Sequence, residues 1–151
     1  DWDADWNQPE VVANNGQVLV NYGTTDISFS PNITAGCNFQ FDIKGFNAQL
    51  QTNYVGEQFL DNTMNAAAKL DDYCVTNLRL AYTIPIKKVI KNLTVNVQMN
   101  NLFNTLYVSN GGTYSYFEGA SGDFSPSRQK YMPWYYAQAG FNIHAGFSIT
   151  F

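Results

Sequence analysis

Taken in steps of two from Tyr135, the stretch "YYAQAGFNIHAGFSITF" reads Tyr, Ala, Ala, Phe, Ile, Ala, Phe, Ile, Phe. The residues between them are Tyr, Gln, Gly, Asn, His, Gly, Ser and Thr. Successive side chains of a strand point to opposite faces, so this spacing predicts a strand with one apolar and one mostly polar side. The pattern recurs four times upstream. Ile33, Ala35, Cys37, Phe39, Phe41 and Ile43 alternate with Asn32, Thr34, Gly36, Asn38, Gln40 and Asp42. Phe46, Ala48, Leu50 and Tyr54 alternate with Asn47, Gln49, Gln51 and Asn53. Leu78, Leu80, Tyr82 and Ile84 face away from Asn77, Arg79, Ala81 and Thr83. Leu93, Val95, Val97, Met99 and Phe103 face away from Thr94, Asn96, Gln98 and Asn100.

The fold class expected is all-β, with antiparallel amphipathic strands near 31–43, 46–57, 73–85, 93–104 and 135–151. Lys44-Gly45 predicts a minimal hairpin, and "IKKVIKN" (86–92), with Lys87, Lys88 and Lys91, a short basic turn. By contrast 58–72 and 105–134 are long and rich in Asn, Gly, Ser, Asp and Tyr, and loops beyond about 12–15 residues are usually functional or disordered. Residues 1–30 read as a further loop region with a short strand at "QVLVNYG", leaving 31–151 as one partial domain of strands.

Short turns at one end and long loops at the other mark a transmembrane β-barrel, whose strands need about 9–11 residues to cross the hydrocarbon layer. Composition agrees: aromatic residues reach 16% and charged residues only 13%, against the usual quarter. Every charge falls in a loop, in a turn or on a polar strand face. Tyr54, Tyr73, Phe103 and Tyr135 toward the long loops, and Phe41, Phe46, Tyr82 and Phe151 toward the short turns, predict two aromatic girdles. A soluble β-sandwich is the alternative, an aromatic-rich one binding carbohydrate at a cell surface, because its strands also carry one apolar face. Five strands cannot close a barrel, so the chain is expected to be part of a larger one or to assemble with other chains, bordered by outer-membrane lipid.

The order of four segments, "TDISFSPNITA" (25–35), "YVGEQFLDNT" (54–63), "NNLFNTLY" (100–107) and the closing strand, resembles the C-terminal part of TonB-dependent outer-membrane receptors. The likeness spans nearly all of 24–151, with Phe59 where Tyr is usual. It implies uptake of an iron chelate such as a siderophore or haem, or of a similar scarce nutrient such as cobalamin or a glycan, across the bacterial outer membrane. Its implied partners are the rest of the barrel and its plug domain, the TonB energy-coupling system and the barrel-assembly machinery. Phe147, Ile149 and Phe151 would form the assembly signal, with Ala145 small for its place in it.

Candidate sites follow from the pattern. Asn47, Gln49, Asn77, Arg79, Asn96, Gln98, Asn142 and His144 would line the lumen, where a lone His is a wall contact sooner than a metal ligand. In 105–134, Tyr107, Tyr114, Tyr116, Phe117, Tyr131 and Trp134 offer stacking surface, and Arg128 with Lys130 could meet an anionic chelate. The competing reading is that these loops pack on one another. Asn-Leu-Phe-Asn (101–104) either clamps a ligand or simply ends a strand. Asp1, Asp3 and Asp5 have the spacing of a calcium loop, but Trp6 stands where its Gly belongs and Val12 where its Glu does. Cys37 and Cys74 read as small side chains in apolar surroundings. A net charge of -4 argues against nucleic acid, and neither a catalytic constellation, a metal site nor a cofactor motif is found.

Overall fold

The computed structural model describes residues 12–14, 17–19, 21–86, 89–119 and 125–151. Asp1, Asp3, Asp5, Lys87 and Lys88 lie outside the described residues. The rest is all-β, in chain order β1 (Val12–Asn14), β2 (Gln17–Leu19), β3 (Thr34–Ile43), β4 (Phe46–Val55), β5 (Gln58–Phe59), β6 (Lys69–Leu70), β7 (Tyr73–Pro85), β8 (Asn92–Asn100), β9 (Val108–Phe117), β10 (Gln129–Ala137) and β11 (Asn142–Thr150). A single turn of 3₁₀ helix, Pro126–Arg128, precedes β10. Among the described residues no helix is long and apolar enough to cross a membrane, which leaves strands untouched as a means of crossing.

Two compact units make up the chain. The first (Pro31–Glu57, Asp71–Ser109 and Ala137–Phe151) holds a five-stranded antiparallel sheet in the order β11-β8-β7-β4-β3. This is a meander, each strand beside its predecessor in the sheet, and it does not close on itself. The second (Asp1–Ser30, Gln58–Leu70 and Asn110–Tyr136) contains the pairs β1-β2 and β5-β6 and most of the β9-β10 ribbon.

Register carries the alternation intact across the sheet. Phe39, Leu50, Leu78, Met99 and Ile143 form one row; Phe41, Ala48, Leu80, Val97 and Ala145 form the next. Ile43, Phe46, Tyr82, Val95 and Phe147 form the third. Among the sheet's residues only Asp42 and Arg79 are charged, and both lie on the opposite face. The apolar rows are not a core. Phe39 is 67% exposed and Phe147 73%, and the buried apolar residues among those described are Leu60, Ala68, Leu70 and Val75. Cys37 and Cys74 are free thiols on this same apolar face.

The expected strands thus form, with three corrections. Residues 135–151 are not one strand: β10 ends at Ala137 and β11 begins at Asn142. The loop 105–134 contains β9 and most of β10, and 58–72 contains β5 and β6. The outer girdle loses two members, because Tyr135 belongs to the ribbon and Tyr73 lies five residues from Leu78, an odd count that turns it to the polar side.

The β3–β4 turn shows why its residues matter. Lys44 and Gly45 both have positive φ (45° and 86°), as a two-residue turn between twisted strands demands. A Cβ on Gly45 would lie 2.7 Å from the Thr83 carbonyl oxygen, while the Gly45 carbonyl accepts from Thr83 N at 2.8 Å. Gly45→Val is therefore expected to lower stability by about 1–3 kcal/mol, and Lys44→Asn, which tolerates positive φ, to raise it slightly. Urea midpoints of the refolded protein measure both; a neutral Gly45→Val would show that the turn relaxes freely.

Candidate functional site

The polar face of the sheet brings all eight expected wall residues together. Gln40, Gln49, Arg79, Gln98 and His144 form a cross-strand row. Asn47, Asn96, Asn142 and Asn77 stand on the same face by alternation. Carboxamides bond along and across strands: Gln49 Nε2 donates to Asn38 Oδ1 (3.1 Å), Gln98 Nε2 to Asn100 Oδ1 (2.8 Å) and Asn100 Nδ2 to Asn142 Oδ1 (2.9 Å). His144 Nε2 lies 3.1 Å from the same Asn142 oxygen. Asp42 accepts from both Gln40 and Asn47, which compensates its charge. Gln49, Gln51, Asn77, Arg79 and Gln98 border a recess of about 140 Å³. Such a wall offers many neutral hydrogen bonds, each weak and exchangeable, and one cation.

At the end of β8 the Asn-Leu-Phe-Asn segment clamps the chain itself. Asn101 and Asn104 have positive φ (51° and 53°), a conformation Asn tolerates better than most residues. Asn101 is 3% exposed. Its amide nitrogen donates to the carbonyls of Thr105 (2.9 Å) and Ala139 (3.1 Å), and its Oδ1 accepts from Thr105 N (2.9 Å). Asn104 Oδ1 accepts from Phe141 N (2.9 Å), and Gln138 N donates to Tyr107 O (3.0 Å). Two asparagines thus tie the departure of the 105–141 excursion to its return. Phe103, between them, is 73% exposed.

The ribbon divides the candidate loop residues. Tyr107 lies outside it and packs on Tyr73, with ring centroids 4.6 Å apart. Gly112 contacts the Trp134 ring, so alternation puts Tyr114, Tyr116, Lys130 and Trp134 on one side. Phe117 and Tyr131 take the other side, with Ser115 and Gln129, which bond each other at 3.0 Å. There Tyr131 Oη donates to Thr63 Oγ1 (2.9 Å), and Thr63 in turn donates N–H and O–H to Asp61 Oδ1. Asn62 Oδ1 accepts from Ser28 N at 2.8 Å, so Asn62 and Thr63 each hold a different segment while Asp61 fixes Thr63. Tyr22 donates to Gln129 Oε1; burial, then the nearby Tyr131, pushes its phenol above the ordinary value and keeps it protonated. Both cations have a neighbour at Glu118. Lys130 Nζ lies 3.7 Å from Glu118 Oε2, and the Arg128 guanidinium sits against the Glu118 carbonyl at 3.5 Å.

No family model, curated protein or solved structure matches the chain.

What the residues can do chemically therefore rests on the geometry. Phe147 and Ile149 lie on the apolar face of the edge strand β11, with Phe151 just beyond it and 71% exposed. Ala145 leaves a shallow apolar depression between Leu93, Val95, Phe147 and Ile149. Among the described residues no group of three His, Cys, Asp or Glu side chains could hold a metal ion. The buried organising role of Asn101 was only half visible in the sequence. Asn before a polar loop signals positive φ, whereas its bond to Ala139 depends on a contact 38 residues away.

Asn101→Ala is expected to cost roughly 1–3 kcal/mol, because it strands buried backbone groups as well as straining φ. Asn101→Gly relieves the φ strain but not the lost bonds, so it should remain destabilised. Limited proteolysis at 105–141 reads the result. Full rescue by Gly would make this position a backbone requirement alone.

Proposed function

We propose that this chain forms the C-terminal strands of the β-barrel of a TonB-dependent receptor in the bacterial outer membrane. The receptor takes up an iron chelate, such as a siderophore or haem, or a similar scarce nutrient. The observation that carries this reading is an exposed, charge-free apolar face on a sheet whose other face is a wall of carboxamides. A soluble sandwich would lay a second sheet about 10 Å above the apolar rows. Instead Phe39, Phe41, Ile43, Tyr82, Val95, Ile143 and Phe147 stay exposed. Lipid is a solvent that accepts such a face, and a wet lumen accepts the other.

The proposed mechanism follows from the two faces. Outer loops capture the cargo, and the plug moves under energy from the inner membrane through TonB. Cargo or plug then slides over the amide wall, whose neutral hydrogen bonds exchange with water at little net cost. Lipid and the remainder of the barrel complete the surroundings, and the assembly machinery engages β11 with Phe147, Ile149 and Phe151.

Val97 and Gln98 are neighbours in β8 at the same depth, on opposite faces. Val97→Lys would place a charge against lipid at about 2–4 kcal/mol, while Gln98→Lys would place it in water. Heat-modifiable mobility of the whole protein in membranes is expected to be lost with Val97→Lys and kept with Gln98→Lys. Equal tolerance of the two would overturn the barrel reading.

A further inference from the structure

The β9-β10 ribbon carries a second apolar surface whose chemistry differs from that of the sheet. A Cβ on Gly112 would stand 2.4 Å from Trp134 Cζ2 and 2.7 Å from Cε2, so the indole rests directly on bare backbone. Tyr114 and Tyr116 lie on that side of β9, with ring centroids 5.8 Å apart and planes within 24°. Met132 and Tyr136 lie beside Trp134 on β10. Tyr114 is 56% exposed, Trp134 47% and Tyr136 58%. Between Asn110 and Tyr116 and between Lys130 and Tyr136, this side has no Leu, Ile or Val. The sheet's apolar rows, by contrast, are mostly Leu, Ile, Val, Ala and Phe, with Met99 and Tyr82 the exceptions. The ribbon's one cation here, Lys130, is paired with Glu118.

We propose that this side of the ribbon is a stacking platform for a neutral saccharide, anchored on the Trp134 indole seated over Gly112. A pyranose ring presents a face of C–H groups, which the negative face of an aromatic ring attracts, and a rim of hydroxyls. Phenol hydroxyls, the Asn110 amide and the Lys130–Glu118 pair supply donors and acceptors for that rim. Acyl chains would gain more from aliphatic side chains, and an anionic ligand would need an unpaired cation. The glycine seat holds the indole in place beforehand, so little conformational freedom is lost on binding. This assignment concerns the ribbon alone and stands or falls independently of the barrel.

Isothermal titration of the purified whole protein, in a sugar-free detergent, with cellohexaose, xylohexaose and maltohexaose tests it. At least one hexaose should bind, and Trp134→Ala should weaken that binding about tenfold or more. Gly112→Val, which leaves every aromatic ring in the chain but displaces the indole, should weaken it comparably. Trp134→Phe keeps a stacking ring and should stay within about threefold of the parent, which separates stacking from loss of structure. No binding of any hexaose, unaltered binding by Trp134→Ala, or a loss with Phe equal to that with Ala would overturn the proposal. So would Trp134-dependent binding of phosphatidylethanolamine vesicles with no hexaose bound.

Discussion

Strand register decides what each side of the sheet meets. Four antiparallel pairings keep Phe39, Leu50, Leu78, Met99 and Ile143 in one row and Gln40, Gln49, Arg79, Gln98 and His144 in the row beside it. With a period of two, a slip of one residue in any pairing would send one strand's aliphatic set to the carboxamide side. The pairing of β3 with β4 is fixed by the Lys44-Gly45 turn, whose two positive φ values set which residues oppose each other. The pairing of β8 with β11 has no tight turn to set it, since 41 residues intervene. Asn101 and Asn104 take over that role by tying Thr105, Ala139 and Phe141 at the point where the excursion leaves and returns.

The same economy explains why the segments that carry the family resemblance are architectural here. Asn62 accepts from the backbone of Ser28 and Thr63 from the Tyr131 hydroxyl, while Asp61 holds Thr63 in place. Gly56 donates to Ile33 O at 2.8 Å, at a point where a Cβ would come within 3.1 Å of that same oxygen. Asn, Asp and Thr suit such work because a short polar side chain can replace a missing backbone partner. Tyr114, Tyr116 and Trp134 lie outside these motifs, on a ribbon whose sequence is plainer.

The sheet was legible because its signal is local: period-two alternation persists through each strand, and no charge interrupts the apolar set. The ribbon was not. Asn110, Gly111 and Gly112 fall within a segment that reads as a long loop, yet they sit within β9, where the Trp134 indole occupies the space a side chain on Gly112 would need. The break between β10 and β11 was hidden for another reason. Tyr135, Ala137, Ala139, Phe141 and Ile143 keep an alternating pattern across a gap where the chain changes partners, from β9 to β8. Periodicity reports solvent contrast on either side of a strand and is silent about which strand lies next to it. Tyr73 illustrates a simpler limit. Its place at a strand end suggested a girdle, but five residues from Leu78 is an odd step, and the ring packs on Tyr107 instead.

Edges supply the last constraint. β3 and β11 border the sheet, and among the described residues neither pairs along its outer side. In water those backbone groups are solvated, and the exposed apolar rows would favour association. In hydrocarbon they cannot remain so, because each unpaired N–H or C=O costs several kcal/mol. The apolar face therefore fits lipid only if both edges are paired. The sheet thus bears on its own completion: the feature that supports a membrane setting is the same one that requires further strands on either side. Phe147 and Ile149 stand on one of those edges. A protein that must add strands at β11 meets there a row of free backbone groups flanked by large apolar side chains, which is the combination that strand addition uses for both affinity and specificity.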